Sequence, residues 1–246
     1  MTNLRGKTAL VTGGGRGIGS AIVRQLAAEG AAVALTYNRS AEAAEALVDS
    51  IRKQGGHALA IRADSRDPEA VAVAVSSAAK ELGRLDILVN NAGVLDVAPI
   101  TDLTLEQYER TMEINTRSVF VASKAAVEQL TDGGRIINIG SNLAAHVPGP
   151  GISLYAMSKS ALIGLTRGMA RDLGDRGITV NLVHPGATNT DMNPADGKTS
   201  DLQRSLRAIK TYNNADEVAS LVSWLAGPSA RSVTGSEFVV DGGANA

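Results

Sequence analysis

The chain has 246 residues, of which 44% are hydrophobic and 20% charged, a composition typical of a globular protein. The formal net charge is −1 with both signs interspersed, and no apolar run is long enough to cross a membrane, which argues against nucleic-acid and membrane partners. The absence of cysteine excludes disulfides, thiolate metal sites and a cysteine nucleophile; with no apolar signal region at the start, it predicts a cytoplasmic protein.

Strand-like and helix-like segments alternate along the chain. The first strand covers residues 8–12, and the helix over 17–29 places Ile18, Ile22 and Leu26 on one stripe. A second helix, capped by Ser40, extends to about Lys53. The further strands are predicted at residues 32–37, 57–63, 87–90, 135–139, 179–183 and 237–240. The further helices are predicted at residues 67–82, with Pro68 first, and at 105–130, 153–173 and 216–225.

Several strands are continuous apolar runs, as expected when helices cover both faces of a sheet. The repeated alternation of strand and helix predicts an α/β fold with a mostly parallel, doubly wound sheet. No linker or repeat divides residues 1–246, so we expect a single domain. The polar stretch over residues 186–210 is long for a loop in such a domain and is interpreted as a substrate-binding lid.

A glycine-rich turn follows the first strand and reads Thr-Gly-Gly-Gly-Arg-Gly-Ile-Gly over residues 12–19. The spacing GxGxxG is not met, but TGxxxGxG fits Thr12, Gly13, Gly17 and Gly19. Glycines let the backbone approach a pyrophosphate, and the start of the next helix offers free N–H groups. The turn therefore indicates a dinucleotide site, although a merely tight turn is the alternative.

The end of the second strand bears on which nicotinamide cofactor binds. An acid that would bind the 2′-hydroxyl of NAD is missing from Tyr37, Asn38, Arg39 and Ser40. Arg39, together with Arg16 in the glycine turn, could instead hold a 2′-phosphate, because guanidinium suits phosphate. We therefore expect NADP(H) to be preferred, with NAD(H) possible; two solvated arginines would be the alternative reading.

Four separate features indicate a catalytic site. Tyr155 and Lys159 lie four residues apart near the start of a helix, so their side chains share one face. Ser141 follows the strand over 135–139, at the end where ligands bind in open α/β sheets. Asn115 lies within the long predicted helix, and the Asn-Asn-Ala-Gly segment over 90–93 follows a buried strand. Each feature alone has an ordinary structural explanation.

In this order and on these elements, the motifs resemble those of the short-chain dehydrogenase/reductase family over essentially the whole chain. Asp64, Pro185-Gly186 and Asp241-Gly242-Gly243 also match. The resemblance implies a Rossmann-like domain with a seven-stranded parallel sheet. It further implies NADPH-dependent reduction of a ketone or aldehyde, as in carbonyl reductases and 3-oxoacyl-carrier-protein reductases. Relatives commonly form homotetramers, so we expect a homotetramer or a homodimer.

The resemblance also implies residue roles. Tyr155 would act as general acid in reduction, its pKa lowered by Lys159 and the oxidised nicotinamide. Ser141 would polarise the carbonyl, and Asn115 would hold a water in a proton relay. The cofactor contacts are assigned to Gly13, Arg16, Gly17, Ile18, Gly19, Tyr37, Asn38, Arg39, Ser40, Asp64, Ser65, Asn91, Ala92, Gly93, Tyr155, Lys159, Pro185, Gly186, Thr188 and Thr190.

The expected substrate pocket is mostly apolar and suits a small neutral carbonyl compound. It comprises Leu95, Leu143, His146, Ile152 and Met192. The three histidines, His57, His146 and His184, lack metal-ligand spacing, so no metal is expected, and His184 is assigned to satisfying backbone groups. Two alternatives stay open: an NAD-linked alcohol dehydrogenase, and a non-catalytic protein that binds or senses a dinucleotide.

Overall fold

One sheet of seven parallel strands organises the computed structural model, which describes residues 3–246. The strands are β1 (Thr8–Val11), β2 (Ala32–Tyr37), β3 (Ala58–Arg62), β4 (Leu85–Asn90), β5 (Leu130–Ile139), β6 (Thr179–Pro185) and β7 (Glu237–Val240). Their order across the sheet is β3-β2-β1-β4-β5-β6-β7. The predicted α/β fold with a seven-stranded parallel sheet is confirmed.

Helices cover both faces of this sheet. They are α1 (Gly17–Ala28), α2 (Ala41–Lys53), α3 (Pro68–Leu82), α4 (Leu105–Met112), α5 (Ser118–Gln129), α6 (Ser153–Asp172), α7 (Ser200–Ser205) and α8 (Ala215–Ala226). Apolar side chains of α1, α2 and α8 form the core on one face, and those of α3, α5 and α6 form the core on the other. Because both faces are buried, β1 and β4 are apolar along most of their length.

The strand order reverses between β1 and β4. The chain builds outward from β1 through β2 to β3, and then crosses back so that β4 pairs with β1 on the other side. Val11 is opposite Val89, and Val89 is opposite Ile137, so the carboxyl ends of β1, β4 and β5 meet at one edge. Ligands of doubly wound sheets bind in the crevice at such a reversal.

The structure departs from the predicted elements where long-range contacts intervene. The predicted helix over 105–130 is interrupted by a π-helical segment, Glu113–Arg117, between α4 and α5. β5 starts earlier than predicted, because buried Leu130 pairs with Leu85 of β4. Ser40 occupies the N-cap position of α2, but its side chain makes no capping hydrogen bond, so the predicted cap is wrong in its chemistry. The start of α3 matches the prediction, since Asp67 caps it and Pro68 is its first residue.

Within residues 3–246, no helix is both long enough and apolar enough to span a bilayer.

Candidate active site

The glycine turn after β1 is joined to the loop after β4 by side-chain hydrogen bonds. The Thr12 hydroxyl accepts from the backbone N–H groups of Asn91 (3.0 Å) and Ala92 (3.2 Å). The Asn91 amide donates to the carbonyl oxygens of Thr12 (3.0 Å) and Gly13 (3.1 Å). These bonds hold the two loops side by side at the strand-order reversal.

The glycines of the turn are required by close backbone approaches. A Cβ atom on Gly19 would lie 2.4 Å from the Gly13 carbonyl oxygen and 2.5 Å from the Asn91 amide nitrogen. Gly13 and Gly17 have positive φ angles of 63° and 53°, which disfavour any other residue. Arg16, at the N-cap of α1, makes no side-chain cap, so the first turn of α1, including Ile18, keeps its N–H groups available. This cradle fits the pyrophosphate of a dinucleotide.

The end of β2 lies directly beside the turn. A Cβ on Gly15 would lie 3.8 Å from Cβ of Tyr37. Asn38 and Arg39 follow Tyr37 and are exposed, as is Arg16 on the turn. Within residues 3–246 neither Arg16 nor Arg39 forms an ion pair. Two positive guanidinium groups therefore flank the segment where a 2′-phosphate would be bound.

Ser40, Asp64 and Ser65 complete the predicted adenosine end and are all partly accessible. The Asp64 carboxylate accepts a hydrogen bond from the Arg66 backbone N–H (2.9 Å), which fixes its orientation after β3. Its second oxygen has no recorded protein partner within residues 3–246 and could accept from a base amino group.

Tyr155 and Lys159 lie together on the first two turns of α6, as their spacing predicts. The Lys159 ammonium lies 5.9 Å from the centre of the Tyr155 ring and donates to the Ile139 carbonyl at the end of β5 (3.0 Å). A Cβ on Gly93 would lie 3.4 Å from the Lys159 nitrogen, so the loop after β4 passes beside this group. An ammonium has three donors, which leaves two for further partners.

Burial changes the acid–base properties of both groups. Lys159 is 4% exposed, and burial lowers its pKa to about 8. Burial also raises the pKa of Tyr155, while interaction with the Ser141 hydroxyl acts in the opposite direction. The lowering of the Tyr155 pKa by Lys159 and the oxidised nicotinamide stays a prediction for the cofactor-bound enzyme. A phenol that stays protonated suits a general acid.

Asn115 lies in the π-helical segment and is completely buried. Its amide oxygen accepts from the Val94 backbone N–H (2.9 Å), and its amide nitrogen donates to the Val94 carbonyl (2.9 Å) and the Ser158 hydroxyl (3.0 Å). Ser158 in turn donates to the Tyr155 carbonyl (2.8 Å). The Asn115 side chain thus ties the loop after β4 to α6, and the water relay expected at this residue stays a prediction.

Ser141 follows β5 and is buried, with 6% exposure. Its hydroxyl oxygen accepts from the Leu143 backbone N–H (3.2 Å), which leaves its single O–H free to donate either to the Tyr155 oxygen or to a substrate oxygen. Its backbone contacts the His184 ring from β6, through Nδ1.

The segment predicted to be a lid begins after β6 and reaches the glycine turn at Thr190. Gly186 lies against Asp241, where a Cβ would meet that residue's Cβ at 2.6 Å. Thr188 is buried, with its hydroxyl bonded to the Gly186 carbonyl (3.0 Å). The methyl group of Thr190 lies 3.3 Å from the position of a Cβ on Gly17, so the lid reaches the cradle.

A buried arginine fastens the two ends of the lid. Arg207, 2% exposed, donates to the Ala187 carbonyl (2.9 Å) and to the Asn213 side-chain oxygen. The Asn213 backbone N–H also bonds to the Ala187 carbonyl (2.9 Å), and its amide donates to the Val240 carbonyl (2.5 Å). We call Arg207 and Asn213 the lid clasp. The lid also contains the short helix α7, which the sequence pattern did not indicate.

The predicted substrate residues surround this region unevenly. Leu95, Leu143 and Ile152 are half-buried, whereas Met192 is 51% exposed on the lid. His146 is exposed, and its backbone N–H bonds to the Asn142 carbonyl (3.3 Å).

Four contributors were absent from the predicted site. Thr12 belongs to the TGxxxGxG motif, and its position directly before the glycines could have identified it. Ser158 lies within the Tyr-x-x-x-Lys motif and carries no signal of its own. The lid clasp joins residues from separate segments, which no local pattern indicates. Among residues 3–246 no cluster of potential metal ligands occurs.

Known proteins resemble this chain over nearly its full length. The family described as "Enoyl-(Acyl carrier protein) reductase" matches residues 13–245. A short chain dehydrogenase from Burkholderia cenocepacia J2315, crystallised in complex with NADP, is 57% identical, with a TM-score of 0.98 and coverage of 99% of this chain and 100% of that one. The cyclic-di-GMP-binding biofilm dispersal mediator protein of Escherichia coli is 45% identical, covering 98% of both chains. Versicolorin reductase 1 of Aspergillus parasiticus is 40% identical, covering 98% of this chain and 97% of the relative.

Proposed function

The chain belongs to the short-chain dehydrogenase/reductase family, and from this premise we propose that it is an NADPH-dependent reductase of ketones or aldehydes. One observation carries the proposal: Ser141, Tyr155 and Lys159 converge at the carboxyl end of β5, beside the glycine cradle and Gly93. Convergence of a hydroxyl donor, a protonated phenol and an ammonium at a dinucleotide cradle is the arrangement that carbonyl reduction needs.

The residues divide the work of the reaction. NADPH, when bound, supplies the hydride that the carbonyl carbon accepts. Ser141 donates its free O–H to the carbonyl oxygen and polarises it. Tyr155 then delivers the phenolic proton to that oxygen as negative charge develops, so that an alcohol forms. Lys159, held by the Ile139 carbonyl, binds the ribose hydroxyls with its remaining donors and stabilises the phenolate left on Tyr155.

NADP(H) is favoured over NAD(H) by charge. Arg16 and Arg39 are exposed, unpaired by carboxylates within residues 3–246, and adjacent to the end of β2. The relative from Burkholderia cenocepacia was crystallised with NADP, which supports the same choice. An NAD-linked alcohol dehydrogenase would place an acid there to accept the ribose hydroxyl.

A non-catalytic binding protein is the second candidate, and one relative favours it. The Escherichia coli relative is named for binding cyclic-di-GMP. Binding such a ligand would not require Tyr155, Lys159 and Ser141 to lie close together, nor burial that changes the pKa values of Tyr155 and Lys159. Because all three are present and converge, the enzyme is the better-supported function.

We further propose that the chain acts as one domain in which residues 186–210 close over the substrate, with the pocket formed by the five predicted residues. The homotetramer or homodimer implied by the family stays a prediction, as does the cytoplasmic location. Phe120 on α5 and Val239 on β7 are 53% and 54% exposed, and they offer apolar surface that pairing would bury.

The direct test follows NADPH consumption with a panel of ketones and aldehydes. Tyr155→Phe should reduce kcat by about 10²- to 10⁴-fold, because the proton donor is lost while the ring remains. Tyr108→Phe is the matched control, since Tyr108 is an exposed tyrosine on α4. No turnover by the unaltered protein, or equal activity in the two variants, would refute the proposal.

A further inference from the structure

His184 is a buried histidine that the proposed chemistry does not use. It lies near the end of β6 and is 3% exposed. Its Nδ1 lies 2.7 Å from the backbone carbonyl oxygen of Ser141 and 3.2 Å from the backbone nitrogen of the same residue. This ring therefore touches the backbone of the residue expected to polarise the carbonyl.

The space for the ring is made by a glycine. A Cβ on Gly140 would lie 2.7 Å from His184 Nδ1 and 2.9 Å from its Cε1. Gly140 also donates its N–H to the Val183 carbonyl (2.7 Å), so β5 and β6 stay paired up to this point. The imidazole is thus seated beneath the turn by which β5 delivers Ser141.

The Nε2 side of the His184 ring faces two charged side chains, Glu237 and, beyond it, Arg167. Nε2 lies 3.1 Å from one carboxylate oxygen of Glu237, the first residue of β7, and the other oxygen accepts from Arg167 of α6 at 2.7 Å. Arg167 is 66% exposed, so the chain Ser141–His184–Glu237–Arg167 runs from the site to the surface. It connects β5, β6, β7 and the helix that carries Tyr155.

The distances assign the proton on Nδ1. The closer partner is the Ser141 carbonyl oxygen, which only accepts, so Nδ1 carries hydrogen and donates to it; the longer contact, with the Ser141 N–H at 3.2 Å, is then not a hydrogen bond. Nε2 faces the Glu237 carboxylate at 3.1 Å, so this side of the ring is also held by a polar contact. Glu237 and Arg167 fix the plane of the ring, as a carboxylate does for a catalytic imidazole.

We propose that His184 is a positioning residue, which fixes the backbone of Ser141 through Nδ1 and is itself oriented by Glu237 and Arg167. This inference rests on the proposed function, because it concerns the serine of that same site. A displacement of Ser141 by about 1 Å would weaken its hydrogen bond to the substrate oxygen and can lower the rate by about 100-fold.

Two isosteric fragments of histidine separate positioning from space filling. The amide nitrogen of asparagine occupies nearly the place of Nδ1, whereas that of glutamine reaches the place of Nε2. We therefore expect His184→Asn to keep most of kcat, and His184→Gln to lose about 10- to 100-fold with little change in NADPH binding. His57→Asn and His57→Gln, at an exposed histidine, are the matched controls.

The outcomes are distinguishable. Absence of turnover in the unaltered protein refutes the proposed function itself. If the unaltered protein is active but the asparagine and glutamine variants have equal kcat, or if glutamine is the better, His184 only fills space and the inference is overturned. Melting temperatures of both variants establish that each is folded, and Glu237→Gln provides a second route that leaves the ring in place.

Variants of Glu237 and Arg167 test the order of contacts that leads to Ser141. Glu237→Gln should lower kcat less than His184→Gln, and Arg167→Gln less again, because each acts on Ser141 through one more intervening group. Arg171→Gln, on an exposed position of the same helix, should have no effect. An Arg167→Gln effect as large as that of His184→Gln would contradict the proposed order of contacts.

Discussion

The site at the carboxyl end of β5, formed by Ser141, Tyr155 and Lys159, is held in place differently from the predicted lid over residues 186–210. Ser141, Tyr155 and Lys159 lie on or shortly after regular elements, and backbone groups of β5 and its following turn orient Ser141 and Lys159. The lid has one short helix, exposed apolar side chains such as Met192, and a side-chain clasp at its base. The groups expected to act on the substrate oxygen are therefore built on the sheet, while the predicted lid is anchored by side-chain contacts at its base and by Thr190 at the glycine turn.

The Ser141–Tyr155–Lys159 site can be tested by measuring how the rate depends on pH. The lowered pKa of Lys159, about 8, means that its ammonium is charged below that pH and becomes neutral above it. Because only the charged form attracts the phenolate and offers three donors, kcat/KM for NADPH, which reports the free enzyme, should fall by about tenfold per pH unit above 8.

Lys159→Met should abolish this alkaline fall together with most activity, whereas Lys80→Met, at an exposed position of α3, should preserve it. A pH profile that stays flat from pH 7 to about 10 in the unaltered protein would contradict the burial argument.

The lid half is tested by breaking its clasp. Arg207→Met keeps the apolar length of the side chain but leaves the Ala187 carbonyl and the Asn213 oxygen without their donor, which should cost about 1–3 kcal/mol of local stability. We expect faster proteolysis within residues 190–206 and a higher KM for NADPH, because Thr190 loses its position over Gly17.

Arg231→Met, at an exposed arginine outside the lid, is the control. If Arg207→Met lowers kcat as strongly as it lowers NADPH affinity, the lid and the Ser141–Tyr155–Lys159 site are not independent, and the contrast drawn between them is wrong.

Cofactor choice should be the smallest effect, because it depends on exposed charge. Arg39→Ala should weaken NADPH binding by about tenfold while leaving NADH nearly unchanged, since only NADPH has the 2′-phosphate that the guanidinium would bind. The ratio of kcat/KM for the two cofactors measures this directly. Arg24→Ala, exposed on α1, provides the comparison, and equal losses for both cofactors would rule out a phosphate contact at Arg39.

The predicted elements were right where neighbouring residues carry the signal. Asp67 and Pro68 specify the start of α3, and the period of four specifies that Tyr155 and Lys159 share a face. The long helix over 105–130 failed because its π-helical segment accompanies the contact of Asn115 with Val94, twenty-one positions earlier. The Ser40 cap failed because residue type alone does not fix side-chain direction.

The sequence by itself determined the fold class and the glycine turn, because periodicity and glycine requirements are written in residues close along the chain. The Ser-Tyr-Lys group is predicted from the motifs that resemble the family. Tertiary structure alone decided how Asn115 is engaged, how His184 meets Ser141 beneath Gly140, and how Arg207 joins Ala187 to Asn213. These contacts link residues that are distant in sequence or separated by irregular chain. Their energies exist only once the sheet has brought the segments together.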